Sequence, residues 1–386
     1  MWRHIAANAL TFLIVALFLL AGVVTWGVRE YQAPGPLTEA ICLDVPAGSA
    51  NTAVLTDTLL DKGAITSGFI YEVGARYTEK AGLIKRGQFR VPEGASMEEI
   101  VDIITRGGRN TCGTEVIYRV GINQMQVDVR ALDPASNEYV EVVSFEAGGI
   151  EVPAEYAEVR AEGDASYRVV IAEGATSWQI ANALGQIDLL RNDVTEVPAE
   201  GSLAPRDYDI REGDTVSSVI GRMQALQSEI LAEAWENRVD GLPLASPDEA
   251  LILASIIEKE TGVPEERRQV ASVFVNRLRE GMRLQTDPTV IYGITRGEGV
   301  LGRGLRQSEL RGETPWNTYV IDGLPPTPIA NPGRASIEAA LNPDTTDYIF
   351  FVADGTGGHA FATNLDDHNR NVARWREIEA QRANDG

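Results

Sequence analysis

The sequence predicts an α+β protein with one N-terminal transmembrane helix, small αβ modules carrying a β-rich insertion, and a C-terminal mixed α/β domain. Three observations predict it. Ala9 to Val28, ALTFLIVALFLLAGVVTWGV, is a run of 20 residues without a charge. A strand–turn–helix phrase recurs at Val45, Val91, Ile171 and Ile210. Beyond Gly241, helical apolar periodicity alternates with proline-rich and glycine-rich loops. With 386 residues the chain is long enough for two or three domains.

At 1.5 Å per residue the uncharged run is long enough to cross a hydrocarbon core. Arg3 precedes it and Arg29 follows, which predicts a single-pass anchor with its first residues in the cytoplasm and the rest outside. Cleavage as a signal peptide is the alternative. The run exceeds the usual apolar region of such peptides, and no clear small-x-small site follows before Pro34. The net charge of −22 and pI near 4.6, with only Lys62, Lys80, Lys85 and Lys259 among the lysines, exclude the basic footprint of a nucleic-acid binder. The same charge argues against electrostatic recruitment to anionic lipid.

The phrase reads VPAGSANTAVLTDTLL, VPEGASMEEIVDII, IAEGATSWQIANAL and IREGDTVSSVIGRM in its four places. Each is an apolar strand end, a glycine turn, a Ser or Thr suited to cap a helix, and a helix. The phrase resembles LysM modules, small folds that bind N-acetylglucosamine-containing polymers. A repeated αβ scaffold without sugar binding is the alternative. Between the second and third copies, VIYRVGINQMQVDVRAL and NEYVEVVSFEAG alternate apolar and polar residues around DPASN, which predicts strands about a turn. Arg191 to Pro205 reads as loop. Cys42 and Cys112 each neighbour a strand-like stretch. On the outside of a membrane they could pair, and two free buried thiols are the alternative.

LILASIIEKETGVPEE, Leu251 to Glu266, carries the candidate chemistry. At about 100° per residue, Glu260 falls on the helix face of Leu253, Ile256 and Ile257. Glu258 falls almost opposite, with Ala254 and Ser255, on the side expected to meet water. A carboxylate buried without a partner tends to stay protonated, and a neutral carboxylic acid is what a general acid needs. Gly262 and Pro264 end this helix and start another, so a last-turn Glu that turns to solvent or pairs with an Arg is the alternative. MRLQTDPTVIYGI brings Gln285, Thr286, Asp287 and Tyr292 together, and PWNTYVIDGLPPTPIANPG supplies Trp316, Asn317, Thr318 and Tyr319. YIFFVADGTGGHAFATNL reads as a hairpin about Asp354 to Gly358 with His359 after the turn, and DHNRNVARWREIEAQR as a closing helix. Amides and aromatic faces suit sugar rings and N-acetyl groups. No phosphate-cradling loop, zinc spacing or GxSxG motif is present in the chain.

From about Gly241 to Trp375 the chain resembles the YceG-like family of endolytic murein transglycosylases. The residues that carry this are ASIIEKET, VASVFVNRLREGMRLQTDPTVIYGI, NTYVIDGLPPTPIANPG and FVADGTGGHAFATNL. The resemblance implies lytic cleavage of the β-1,4 bond between N-acetylmuramic acid and N-acetylglucosamine within peptidoglycan strands. It implies Glu260 as the catalytic acid, no cofactor and no metal, and a catalytic region in the periplasm, anchored in the inner membrane through residues 9–28. Gln285, Asp287, Tyr292, Asn317 and Tyr319 are the expected sugar-positioning residues. The expected partners are glycan strands and peptidoglycan synthases. The expected layout is tip and anchor over 1–30, a LysM-like module over 31–113, the β-rich insertion over 114–167, a second LysM-like or connecting region over 168–240, and the catalytic domain over 241–386. Two rivals stand against this reading. One is a catalytically idle peptidoglycan-binding protein that recruits synthases. The other is a pyridoxal-phosphate lyase, which needs a Schiff-base lysine where only Lys259 lies near a motif.

Overall fold

The computed structural model describes residues 2–45, 52–85, 87–106, 112–133, 136, 138–149, 152–162 and 165–385. The turn of the first phrase, 46–51, and most of DPASN lie outside them. The chain divides into two compact units. The first holds Met1–Glu115, Arg130–Val142 and Ala157–Ser166, and the second holds Val116–Val129, Val143–Tyr156 and Tyr167–Gly386.

In chain order the first unit opens with α1 (Trp2–Gln32), β1 (Ile41–Val45), α2 (Thr52–Asp61), α3 (Gly68–Tyr77), β2 (Gly87–Val91) and α4 (Met97–Thr105). Over Ile14–Gln32, α1 is long and apolar enough to cross a membrane. Strands β1 and β2 pair antiparallel, Ile41 opposite Val91 and Val45 opposite Gly87. They pack Leu43, Phe89 and Val91 against Tyr71 of α3 and Ile100 and Ile104 of α4. A disulfide joins Cys42 to Cys112 across 70 residues, with Cα atoms 5.7 Å apart. The pair is therefore bridged, and the alternative of two free thiols falls.

Next come β3 (Thr114–Val120), β4 (Met125–Leu132), β5 (Tyr139–Glu146), α5 (Ala154–Glu162), β6 (Ser166–Ile171), α6 (Ser177–Gly185), β7 (Asp207–Ile210) and α7 (Val216–Glu236). The strands expected over 114–167 do form, but not as a separate sheet. They join β6 and β7 in one five-stranded sheet of order β5-β4-β3-β6-β7. The β-rich insertion also contains a helix. AEYAEVRAE forms α5, because Ala, Glu and Arg favour helix where no alternation is present. Each described phrase turns on a left-handed glycine, Gly94, Gly174 and Gly213. Each caps its helix with Ser96, Thr176 or Thr215 in a reciprocal capping box.

The chain closes with α8 (Pro247–Glu260), α9 (Arg267–Arg279), α10 (Asp287–Thr295), α11 (Gln307–Leu310), α12 (Arg334–Leu341), β8 (Phe350–Ala353), β9 (His359–Ala362) and α13 (Leu365–Asp385). Helix α8 starts on a Ser246 cap with Pro247 in its first turn, an arrangement that satisfies one orphan N–H and has no use for another. It runs through the core of the second unit, where Leu253, Ile256 and Ile257 meet Phe274, Leu284, Ile337 and Leu341. The hairpin β8–β9 forms as expected, with Phe350 opposite Ala362.

Candidate active site

The middle of helix α8 is sheathed on every side. Ala250 and the whole of Ile252–Ile257 are buried, including Ala254 and Ser255, which the wheel had placed toward water. The Ser255 hydroxyl donates to the Ile252 carbonyl and accepts from the Ile329 N–H at 3.0 Å. The helix approaches the surface at its two ends, Pro247–Glu249 and Glu258–Glu260, and the three polar residues of the last turn face the other motif loops.

Glu260 ends α8, half-buried, and accepts a hydrogen bond from the Thr286 hydroxyl. Burial pushes its carboxyl above the ordinary carboxylate range. The Thr286 bond opposes this, the Asp287 charge adds to it, and His359 and Arg277 pull the other way. Thr286 is itself held. Its N–H donates to the Thr318 hydroxyl at 3.0 Å, and the Thr289 hydroxyl donates to its carbonyl at 2.7 Å. Gln285 adopts a left-handed backbone with φ of 49°, uncommon for a residue with a side chain, and its N–H bonds to the Thr318 carbonyl. The strained turn presents Gln285 and Asp287 outward, both exposed, while burying Thr286 between them.

The expected positioning residues divide. Tyr319 donates to Asp287 Oδ1 at 2.7 Å, and burial first, then this bond, raises its phenol pKa. Gln285, Asp287 and Tyr319 thus gather with Glu260. Asn317 is fully buried, and its amide is spent on the carbonyls of Glu309, Leu310 and Gly312, so it braces the loop that carries Thr318 and Tyr319. Tyr292 packs on Trp316 with ring centres 5.8 Å apart, and the carboxylate near its hydroxyl is Glu200, not Glu260.

Three supporting groups were missing from the expected set. Arg277 donates from Nε to the Ile349 carbonyl at 2.7 Å and from Nη1 to the Leu284 carbonyl at 2.6 Å. It ties β8 and the QTD turn to α9 within reach of the Glu260 charge. Its signal was legible, because an Arg three residues after Phe274 and seven after Val270 lies on the apolar face of its own helix. His359 Nδ1 bonds to Glu266 at 2.8 Å, and the His359 N–H bonds to the other carboxylate oxygen at 2.9 Å. Gly358 leaves room for this pair, since a Cβ there would push the Glu266 carboxylate aside. Asn331, fully buried, accepts from the Leu203 N–H at 2.9 Å and donates to the Ala175 carbonyl at 3.0 Å.

The two other polar residues of the last turn are structural. Glu258 is not a free surface charge. It accepts the Gly333 N–H at 2.9 Å, at the start of α12, where a carboxylate suits the helix dipole. Glu173 packs against Gly333. Burial, and then the Glu258 charge, raise the Glu173 pKa against the pull of Arg267. Lys259 donates to the Gly174 carbonyl at 3.2 Å. Burial lowers its pKa, with Glu258 and Glu200 opposing.

The YceG-like family model matches residues 43–374. An endolytic murein transglycosylase of Bacillus subtilis is 37% identical over 187 residues, which are 47% of this chain and 51% of that protein. One from Streptococcus pneumoniae strain D39 is 26% identical over 388 aligned positions, covering 96% of this chain and 65% of that protein. The chain thus matches between half and two thirds of the length of these relatives. A yceG-like protein from Listeria monocytogenes, solved by crystallography, is 26% identical, with a TM-score of 0.45 over 86% of this chain and 99% of that one. With the model match extending from the first β-strand into the last helix, the chain belongs to the YceG-like family.

Proposed function

We propose that this chain is an endolytic peptidoglycan lytic transglycosylase, with Glu260 as its acid and base. The observation that carries the reading is a carboxyl whose pKa is raised by burial, at the C-terminal end of a helix whose middle is buried, with a hydroxyl bonded to it. The protonated Glu260 donates to the glycosidic oxygen, and the C1–O bond breaks to release the N-acetylglucosamine 4-hydroxyl. Positive charge develops at C1 of N-acetylmuramic acid. The new carboxylate takes the proton of the C6 hydroxyl, O6 closes on C1, and Glu260 is protonated again. No water is consumed, and one carboxylate serves twice where glycosidases commonly use two.

Gln285, Asp287 and Tyr319 are exposed or half-exposed around Glu260 and suited to hold sugar hydroxyls and N-acetyl groups, while Asn317 and Tyr292 act from behind. The β–α–α–β order of residues 41–91, closed by an antiparallel strand pair, supports reading the first unit as a LysM-like module that binds glycan. Helix α1 is compatible with a single-pass membrane anchor, which would place the catalytic region in the periplasm and beside peptidoglycan synthases.

Mass spectrometry of uncrosslinked glycan strands after incubation with the full-length chain tests the reading. The expected products carry 1,6-anhydro ends. Reducing ends would make the protein a hydrolase, and unchanged strands a binder. Glu260→Gln removes the transferable proton and should cut turnover by about 10²–10⁴-fold. The parent rate should fall as pH rises and Glu260 ionises. The same shift has a stability consequence. A carboxyl whose folded pKa exceeds its unfolded value contributes stability that is present at low pH and lost as pH rises through the folded value. Glu260→Gln should therefore melt with the parent at pH 4 and above it at pH 8.

A further inference from the structure

Helix α3 carries an apolar face that nothing among the described residues covers. Phe69 and Tyr77 are 78% and 83% exposed and Val73 is 49% exposed. At four-residue spacing the three share one side of the helix. The opposite side is ordinary core, with Tyr71 and Ala75 buried. Leu83, just beyond the helix, is 54% exposed. Single exposed apolar residues need no explanation, but a contiguous aromatic stripe does.

The end of α1 lies directly beside it. The Tyr31 ring fills the space where a side chain at Gly74 would sit, and the Thr66 hydroxyl bonds to Glu30 at 3.1 Å. Glu30 and Tyr31 are consecutive, about 1.5 Å apart along the α1 axis, whereas Thr66 precedes the Ser67 cap of α3 and Gly74 lies six residues past its first residue, about 9 Å along its axis. Helix α3 therefore crosses α1 instead of running alongside it. On the reading of α1 as a membrane span, α3 then lies along the membrane plane. Trp26 is 60% exposed and Arg29 follows in the last turn of α1, residue types that favour the headgroup layer. Tyr31 is five residues past Trp26, about 7.5 Å further out, and the interfacial layer is roughly 5–8 Å deep on each side. Helix α3 is thus level with the headgroups. Its face offers two aromatics, flanked by Arg76, which is 67% exposed and paired with Glu72 at 3.3 Å, and such aromatic side chains favour the headgroup layer.

We propose that the Phe69–Val73–Tyr77 face of α3 is seated in the lipid interface, so that the first unit rests on the bilayer and does not swing freely from α1. The proposal depends on the anchor reading, and its test separates the two. The full-length chain, with its native disulfide oxidised, is labelled with an environment-sensitive fluorophore through Leu19→Cys, Phe69→Cys or Tyr77→Cys. All three positions are exposed, so the label displaces no core. Each protein is reconstituted in phosphatidylcholine–phosphatidylglycerol vesicles containing lipids spin-labelled at the headgroup or mid-chain. Mid-chain quenching at 19, with headgroup quenching by at least half at 69 and 77, is the expected result. Quenching at 19 alone leaves the anchor standing and overturns the lipid-seated face. Labels at 69 and 77 shielded from aqueous iodide yet unquenched by lipid would mean that a second copy or another protein covers the face, which also overturns it. No quenching at any position removes the anchor, and the proposal with it.

Discussion

The phrases VPEGASMEE, Val91–Glu99, and IAEGATSWQ, Ile171–Gln179, fold alike and serve differently. Both leave a strand through a left-handed glycine, with φ of 66° at Gly94 and 76° at Gly174, and both close a reciprocal capping box. In the first unit the turn binds the strap that follows α1. Gly94 N–H donates to the Leu37 carbonyl at 3.0 Å, and Gly35 N–H donates to the Gly94 carbonyl at 2.9 Å. In the second unit the turn binds the loop and helix that carry the candidate active site. Gly174 N–H donates to Asn331, the Thr176 hydroxyl to the Gly297 carbonyl at 2.6 Å, and Lys259 to the Gly174 carbonyl. The local grammar specifies the turn and its cap. What the turn holds depends on which distant carbonyls and amides come to it.

If the two copies differ in this way, damage to the first unit should cost stability and damage to the second should also cost chemistry. The largest stability effect is expected from Cys42→Ser with Cys112→Ser. Opening a link across 70 residues should cost about 4 kcal/mol by chain entropy, read by denaturant unfolding. The surviving folded fraction should keep its turnover, and a loss of turnover per folded molecule would break the comparison.

Asn331→Ala comes next. It deletes the donor to Ala175 and the acceptor of Leu203 in a fully buried site, and should cost roughly 2–4 kcal/mol. Here turnover per folded molecule should fall too, because Asn331 joins the Gly174 turn to the loop before α12. The smallest and most pointed test is the pair of caps. Ser96→Ala and Thr176→Ala should each cost about 1 kcal/mol. Only Thr176→Ala, which also strips the donor from the Gly297 carbonyl, should change kcat. Equal effects on kcat would show that the capped turns are interchangeable scaffolding.

Much of this molecule follows from short-range rules. Glu260 stood out because a 3.6-residue period places it on an apolar face, and Arg277 carries the same signature on α9. The capped phrases, the β8–β9 hairpin and the apolar α1 likewise need only neighbouring residues to be specified. The wheel failed at Glu258, Ala254 and Ser255. Period tells which residues share a face, and it cannot tell that α9 and α12 close over the faces left behind. Packing of the start of α12 against the last turn makes the half-buried Glu258 a partner of Gly333 instead of a fully solvated charge.

By itself, then, the sequence determined the capped starts of the phrase helices, which side of α8 carries Glu260, and that a helix apolar enough to cross a membrane lies near the N-terminus. Those properties depend on propensity, capping and periodicity within about ten residues. Only the tertiary structure decided that Cys42 meets Cys112, that Glu266 holds His359 from 93 residues away, and that Asn317 and Tyr292 face inward while Tyr319 joins Asp287 beside Glu260. The physical reason is that a buried polar group must find a partner, and its choice depends on which distant segments pack against it.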